Sequence, residues 1–244
     1  MYLLTLCLTY NLFSMKRLKL VFLVVSLFCS FHSAAQILTA DELEEYAMEK
    51  YGKNWVDAAI YLSDSLVLDK NEALTYVQVI EAPDKTAEQL YINLNYWYTS
   101  TFASGESVIE LNDKESGVII AKGFVKDIAI HAAGMNKYHV SLTPVIRTDI
   151  KDGKVRVIYT VPFYSVIKVI GGGTTALLLG SRGPVGVSEE NWPLEECFPF
   201  VKKDSHKKTS SKALVMAHAY SSVIIDKIEE AVKDGMVGIE EDNW

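Results

Sequence analysis

Residues 138–170, YHVSLTPVIRTDIKDGKVRVIYTVPFYSVIKVI, contain the clearest fold signal in this chain of 244 residues. The runs on either side of Lys151–Lys154 are rich in β-branched and aromatic residues, which are enriched in strands. Asp152-Gly153 favours a tight hairpin turn, because both positions can adopt positive φ. The pattern therefore predicts two long antiparallel strands. Pro144 and Pro162 predict edges or bulges within them, because proline cannot donate to a strand ladder.

The residues before this hairpin continue the strand-like pattern. Residues 108–111 and 118–130 are apolar runs separated by a polar turn that ends at Gly117. A second turn is predicted at 131–136. Together with the hairpin, these runs predict a four-strand antiparallel meander.

A strand and a helix are predicted ahead of the meander. Leu74–Ile80 has strand composition and ends close to Pro83. Thr86 and Gln89 have the spacing of a capping box, so a helix should follow them. Its apolar and aromatic stripe predicts packing on the sheet. Three tyrosines of this helix are also candidates for lining a binding surface: Tyr91, Tyr96 and Tyr98.

Residues 36–70 predict a helical segment in front of this domain. Thr39 and Glu42 form a second capping-box pattern. Gly52 interrupts the amphipathic pattern that follows, so the sequence is compatible with one long helix or with two short ones.

A glycine-rich stretch and a final helix complete the domain, which we place at 71–235. We interpret about 171–208 as a loop insertion that covers part of the core. Thr209 or Ser210 is predicted to cap the final helix. The apolar face of that helix consists of Leu214, Ala217, Ser221, Ile224, Ile225, Ile228 and Val232. Residues 236–244 are interpreted as an acidic tail.

The predicted order is an N-terminal helical segment followed by β-α-β-β-β-β-α, which is an α+β fold. Residues 108–123, VIELNDKESGVIIAKG, with Leu90-Tyr91 and Trp97 before them and Asp152–Arg156 after them, resemble the domain of unknown function 4468 family. The resemblance covers about Leu74 to Ile167. It implies a fold like that of the TATA-box-binding protein (TBP), with a curved antiparallel sheet packed against helices. It also implies a secreted protein of a Gram-negative bacterium, and it brings no assigned activity.

The start of the chain predicts export. Met15–Lys19 is a short basic head, Leu20–Phe28 is an apolar run too short to span a bilayer, and small residues lead up to Ala35. We therefore predict that residues 1–35 are a secretory signal peptide, translated from Met15 and cleaved after Ala35. The residues before Cys29 do not match a lipid-anchor motif. An uncleaved anchor is the remaining alternative, and the expected location is periplasmic or secreted.

The charge balance argues against a nucleic-acid partner. The chain has 24 basic and 31 acidic residues, a formal net charge of −7. Residues 1–35 contain three of the basic residues and no acidic one, so the rest of the chain has a net charge of about −10. Such a balance repels phosphate backbones. A TBP-like fold does not change this expectation, because function depends on the site rather than on the fold.

The sequence contains no recognisable catalytic, cofactor or metal motif. Cys197 is the only cysteine after residue 35, so no intrachain disulfide is expected in the exported chain. The triplet Gly171–Gly173 lacks the lysine of a phosphate-binding loop, and no histidines have zinc-helix spacing. No Gly-x-Ser-x-Gly elbow is present. We therefore predict no catalytic residue, no cofactor and no metal.

One basic run stands out in this acidic chain. It includes Lys202, Lys203, Lys207 and Lys208. These lysines are either a solvated loop before the final helix or a contact for an anionic membrane surface or polysaccharide.

The function predicted from these observations is that of a non-catalytic binding or scaffold module of the cell envelope. It would use the face or edge of its sheet to meet an envelope protein or a small apolar ligand. The alternative is an envelope hydrolase with a site near residues 171–196. A homo-oligomer formed through exposed strand edges is a third possibility.

Overall fold

A computed structural model describes residues 37–101, 108–133, 135–171 and 186–235, all within one compact unit. The predicted signal peptide, most of the glycine-rich stretch and the acidic tail lie outside these residues. The described helices are α1 (Ala40–Tyr51), α2 (Trp55–Ser63), α3 (Ala87–Thr101) and α4 (Lys207–Asp234). The described strands are β1 (Leu74–Glu81), β2 (Val108–Asp113), β3 (Val118–Lys122), β4 (Val125–Ala133), β5 (Asn136–Leu142), β6 (Val145–Lys151), β7 (Lys154–Val161), β8 (Phe163–Ile170) and β9 (Gly186–Pro193).

The α+β class is confirmed, but the long apolar runs do not form single strands. Each run is divided into two strands: β3 and β4, β5 and β6, and β7 and β8. Pro144 and Pro162 lie at two of the three breaks. The sequence predicted that these prolines mark edges or bulges within two strands, but they lie between strands instead. A proline at a break is tolerated because no ladder bond is needed from its nitrogen there.

The nine strands form two antiparallel sheets. The five-stranded sheet has the order β1-β7-β6-β3-β2, and the four-stranded sheet has the order β4-β5-β8-β9. Each of the three divided runs has one strand in each sheet, and the runs lie side by side in the same order in both sheets. The two sheets are therefore the two halves of one sharply bent sheet, extended at its sides by β1, β2 and β9.

Strand β9 corrects the prediction that about 171–208 is a loop insertion. Residues Gly186–Pro193 pair with β8 over its whole length. Charged residues such as Glu189 and Glu190 are depleted in strands, so the sequence pattern did not predict this one. They are tolerated here because β9 is an edge strand. A short 3-10 helix, Leu194–Glu196, follows it.

The predicted starts of the first helices are confirmed. The Glu42 carboxylate accepts the Thr39 amide at 2.8 Å, and the Glu42 amide donates to Thr39 Oγ1 at 3.3 Å. The Thr86 amide donates to Gln89 Oε1 at 2.9 Å in the same way. Gly52, at a φ of +92°, ends α1, so the N-terminal segment forms two short helices.

The predicted cap of the final helix is wrong. Helix α4 begins at Lys207, which places Thr209 and Ser210 inside its first turn, where both are buried. Asp204, which precedes the helix, accepts hydrogen bonds at its start instead. Its carboxylate accepts the His206 amide at 2.6 Å and the Ser210 hydroxyl at 2.5 Å.

Helix α4 is the centre of the core. Its predicted apolar face is buried, and so are Ala213, Val215, Met216 and Tyr220 on other sides of the helix. The elements in contact with it are helices α1, α2 and α3 and strands β1, β4, β5 and β7. The bent sheet therefore covers part of the helix, and the N-terminal helices cover another part. None of the described helices is long and apolar enough to cross a bilayer.

We expect Ile224→Ala to lower the free energy of unfolding by about 2–5 kcal/mol, because Ile224 is 0% exposed and its truncation leaves a cavity. The matched control is Ile60→Ala in α2, where the side chain is 48% exposed and the expected loss is below about 1 kcal/mol. Urea unfolding of both variants measures the difference. Equal losses would contradict the central position of α4.

Candidate functional site

The predicted binding residues do not form one surface. The lysines lie in the loop before α4 or in its first turn, whereas Tyr96 shares a groove with Lys227 and Asp234 near the last turn. A helix of 28 residues is about 42 Å long. The two predicted groups therefore lie near opposite ends of α4.

The three tyrosines of α3 have different environments. Tyr98 is 1% exposed, so it packs in the core and does not line a surface, which corrects the prediction. The Tyr91 hydroxyl donates to Asn112 Oδ1 and joins α3 to β2. Tyr96 is 48% exposed and lines a groove of about 310 Å³ between α3 and α4. All three tyrosines belong to the same aromatic pattern of α3. The sequence alone therefore could not show which of their side chains are exposed and which are buried.

The lysines also differ in their contacts. Lys207 Nζ lies 4.1 Å from the centroid of the Phe198 ring, in a cation–π contact. Lys202, Lys203 and Lys208 are exposed. Lys203 lines a cleft of about 420 Å³ between β9 and the loop that leads to α4.

This cleft has aromatic and acidic walls. The Trp192 indole nitrogen donates to Glu190 Oε2 at 3.0 Å. The His206 ring stacks on Trp192, with centroids 4.5 Å apart and an angle of 20° between planes. One face of the indole is therefore occupied by a side chain of the protein itself.

The acid–base properties of the cleft do not favour a hydrolase. The hydrogen bond from Trp192 lowers the pKa of Glu190, so this carboxylate stays ionised and is a poor general acid. Burial raises the pKa of the Cys197 thiol to about 12, which keeps it protonated and unreactive. The Ser205 hydroxyl lies 3.2 Å from His206 Nδ1. Asp204 does not orient that ring, because it accepts the backbone amides of Phe198 and His206.

A polar cluster that the sequence did not predict lies on the four-stranded sheet. Asp127 is in an irregular part of β4 and has a φ of +52°, a left-handed conformation that is uncommon outside glycine. Its carboxylate lies 3.1 Å from His139 Nδ1, and its amide donates to Ser141 Oγ at 3.1 Å. The bulge brings residues together that are distant in sequence, so no local motif reveals them.

The outer face of the five-stranded sheet is the side directed away from α4. Its exposed apolar residues include Val77, Val79 and Leu111. An ionic network lies among them on the central strands. Asp149 accepts hydrogen bonds from Arg147 Nε at 2.8 Å and from Arg156 Nη2 at 2.5 Å.

The network affects the acidity of Asp149. Partial burial acts to raise its pKa, but the hydrogen bonds from Arg156 and Arg147 outweigh that effect and hold the pKa below its ordinary value. Asp149 therefore stays ionised and holds both guanidinium groups in position. Each group retains further N–H donors for another molecule.

Beneath β1, an aromatic cluster surrounds a histidine of α4. His218 Nδ1 lies 3.1 Å from the Tyr76 hydroxyl, and its ring centroid is 5.4 Å from those of Tyr51 and Tyr76. Burial lowers the pKa of His218 to about 4, and the charge of Lys50 acts in the same direction. The histidine is therefore neutral in the folded protein at neutral pH.

Residues 76–162 match the family described as domain of unknown function (DUF4468) with TBP-like fold, which confirms the family and fold expected from the sequence. Among solved structures, the chain is similar to a TBP-like protein from Parabacteroides distasonis, with a TM-score of 0.44 and 11% identity over 67% of this chain and 95% of that one. It is also similar to a DUF4468 family protein from Bacteroides ovatus, with a TM-score of 0.41 and 12% identity over 68% of this chain and 94% of that one. No curated protein matches the chain.

We expect the protein to lose stability as pH falls below about 6.5, because His218 binds a proton in the unfolded chain near that pH and in the folded protein only near pH 4. The stabilisation from neutral His218 is complete above the pKa of this histidine in the unfolded chain. It is lost as the pH falls toward the lower pKa of the histidine in the folded protein. Between pH 7 and pH 5 this histidine contributes about 1 kcal/mol of the loss, allowing for the partial exposure of its ring. His218→Gln should reduce the pH slope in urea unfolding by that amount. An unchanged slope would contradict the assignment.

Proposed function

We propose that this chain, which carries the DUF4468 domain, is a non-catalytic binding module that contacts a protein partner through the outer face of its five-stranded sheet. One observation carries the proposal. On this face the apolar side chains of Val77, Val79 and Leu111 are 61%, 52% and 45% exposed. The same face carries an ionic network of two arginines and an aspartate. None of the described elements covers these side chains.

The composition of this face fits a protein partner. Protein interfaces combine an apolar centre with arginine and are poor in lysine at the centre. Arg147 and Arg156 are already held by Asp149, so less side-chain freedom is lost when a partner binds them. A small apolar ligand needs a concave pocket that buries most of its surface, which an open sheet face does not provide.

The binding module is favoured over the hydrolase for a chemical reason. The cleft near residues 171–196 was the predicted hydrolase site. Within its described part, the lowered pKa of Glu190 opposes a general-acid role, and the raised pKa of Cys197 opposes a nucleophilic role. The outer face needs no activated group, because binding uses only the residues already exposed there.

Val79→Lys combined with Leu111→Lys should reduce recovery of the partner about tenfold, because the two charges must be desolvated in the interface. The measurement is a crosslinked pull-down of tagged protein from the envelope of its own host, read by mass spectrometry. Crosslinks should map to β1, β2 and β7. The matched control is Ile60→Lys with Tyr61→Lys, which places the same charges on exposed apolar positions of α2. Equal recovery with both variants, or crosslinks elsewhere, would contradict the proposal.

We also propose that the chain is exported and that its partner is an envelope protein. The basic residues from Lys16 to Lys19, the apolar run after them and the small residues at 33–35 support this proposal.

If residues 1–35 are a signal peptide, the mature protein should begin at Gln36. N-terminal sequencing of protein recovered from the periplasm or medium of its host measures this directly. Ala35→Phe should block cleavage and leave a longer precursor, because the cleavage site requires a small residue. An unprocessed wild-type chain, or a lipid on Cys29, would contradict the proposal.

A further inference from the structure

We infer that the free edge of β1 binds an extended peptide of a partner, as an added strand, in a groove of about 570 Å³ between β1 and α4. The inference goes beyond the proposed function, because it concerns the edge of the sheet and a groove beside it. The groove floor is formed by α4, including Ser221, Ser222 and Asp226. Lys50 and residues 65–67 form the opposite wall.

The backbone of β1 is paired on one side only. All eight residues of β1 pair with β7 in an unbroken antiparallel register. Among the described strands no other lies beside β1, apart from a single bridge between Leu68 and Leu74. The edge residues that line the groove, 74–78, span about 16 Å at the usual rise of a strand. Edge N–H and C=O groups that lack a neighbouring strand are a template for another extended chain.

The other three sheet edges have features that oppose strand addition. Strands β2 and β4 contain register irregularities, which disrupt a regular edge. Strand β9 carries Glu189 and Glu190 and ends at Pro193. By contrast, β1 reads LTYVQVIE, with no proline, no lysine, no bulge, and its one charge at the last residue. It is therefore the edge best suited to accept a strand.

The groove is shaped for one strand and not for a second copy of the protein. Residues 65–68 run beside the start of β1 and form a wall of the groove. A second copy that paired through its own β1 would bring the same wall into this space. A single extended peptide has no such wall and can lie between the wall and the edge.

The side chains that line the groove indicate the composition of the peptide. Successive residues of an added strand alternate between the α4 floor and solvent. Besides Asp226, the floor includes Ser221, Ser222 and Ile225, which suit small or β-branched side chains. Asp226 is exposed and has no ion pair among the described residues. Lys50 is the other charged residue that lines the groove, so charge complementarity favours a peptide whose lysine or arginine lies next to Asp226 and away from Lys50.

The test is selection of peptides from a phage-displayed random nonapeptide library on the purified protein. We expect enriched peptides to alternate β-branched with polar residues and to carry lysine or arginine at one end. A synthetic copy of the most enriched peptide should slow hydrogen exchange of the backbone amides of residues 75–79. N-methylation of its alternate amides should weaken binding about tenfold, because strand pairing requires those N–H groups.

Two variants and two controls locate the binding site by fluorescence anisotropy of the labelled peptide. Ser222→Arg fills the groove floor, and Asp226→Lys reverses the charge; each should weaken binding about tenfold. Glu230→Lys is the matched control, since it makes the same charge change one turn further along α4 and should leave affinity unchanged. Leu111→Lys on the outer face should also leave it unchanged, which separates this inference from the proposed function.

Several outcomes would overturn the inference. One is the absence of any enriched peptide, and another is equal binding of the N-methylated peptide. A third is binding that survives both Ser222→Arg and Asp226→Lys while circular dichroism shows that both variants fold. A dimer in light scattering that Ser222→Arg dissociates would show that the edge is instead occupied by a second copy.

Discussion

The burial of α4 on several sides is the constraint on which the rest of the structure depends. A helix of 28 residues is about 42 Å long, whereas a strand of eight residues spans about 26 Å and five strands side by side about 24 Å. The five-stranded sheet alone cannot cover the helix along either direction. Bending the three long runs supplies the four-stranded sheet as a second cover. Helices α1 and α2 then bury a further part of the helix surface.

Polar contacts at the ends and side of α4 come from distant parts of the chain. Asp204 accepts donors at the start of the helix, and Lys85 donates to the carbonyls of Val232 and Lys233 at its end, at 2.8 and 2.7 Å. Lys212 lies against α1 and pairs with Glu44 at 2.7 Å. Cations near a helix C-terminus and anions near its N-terminus complement the helix dipole. The same helix that organises the apolar core thus also fixes the loops and helices around it.

Features that depend on neighbouring residues could be predicted from the sequence, and features that depend on tertiary contacts could not. The capping boxes at Thr39 and Thr86 and the Asp152-Gly153 turn are local, and the structure contains them. Composition showed where the long strands begin and end, but their division between two sheets depends on the helix they enclose. The start of α4 was misplaced because several residues with capping character lie between Asp204 and Ser210, and only the tertiary structure shows that Asp204 is the acceptor there. Of the candidate site, the sequence identified exposed Tyr96 but could not distinguish it from buried Tyr98.

The two surfaces proposed for binding meet at β1, and this connects their roles. The side chains of Val77 and Val79 lie on the outer face, while the backbone of the same strand lines the groove. A strand added beside β1 would widen the five-stranded sheet and extend its apolar outer face past these two valines. A partner that supplies both an extended peptide and a folded surface would then make two linked contacts, and the second would form at high effective concentration. A sheet edge without a neighbouring strand carries a risk of aggregation. The two linked contacts with a partner give a physical reason for this sheet to keep such an edge.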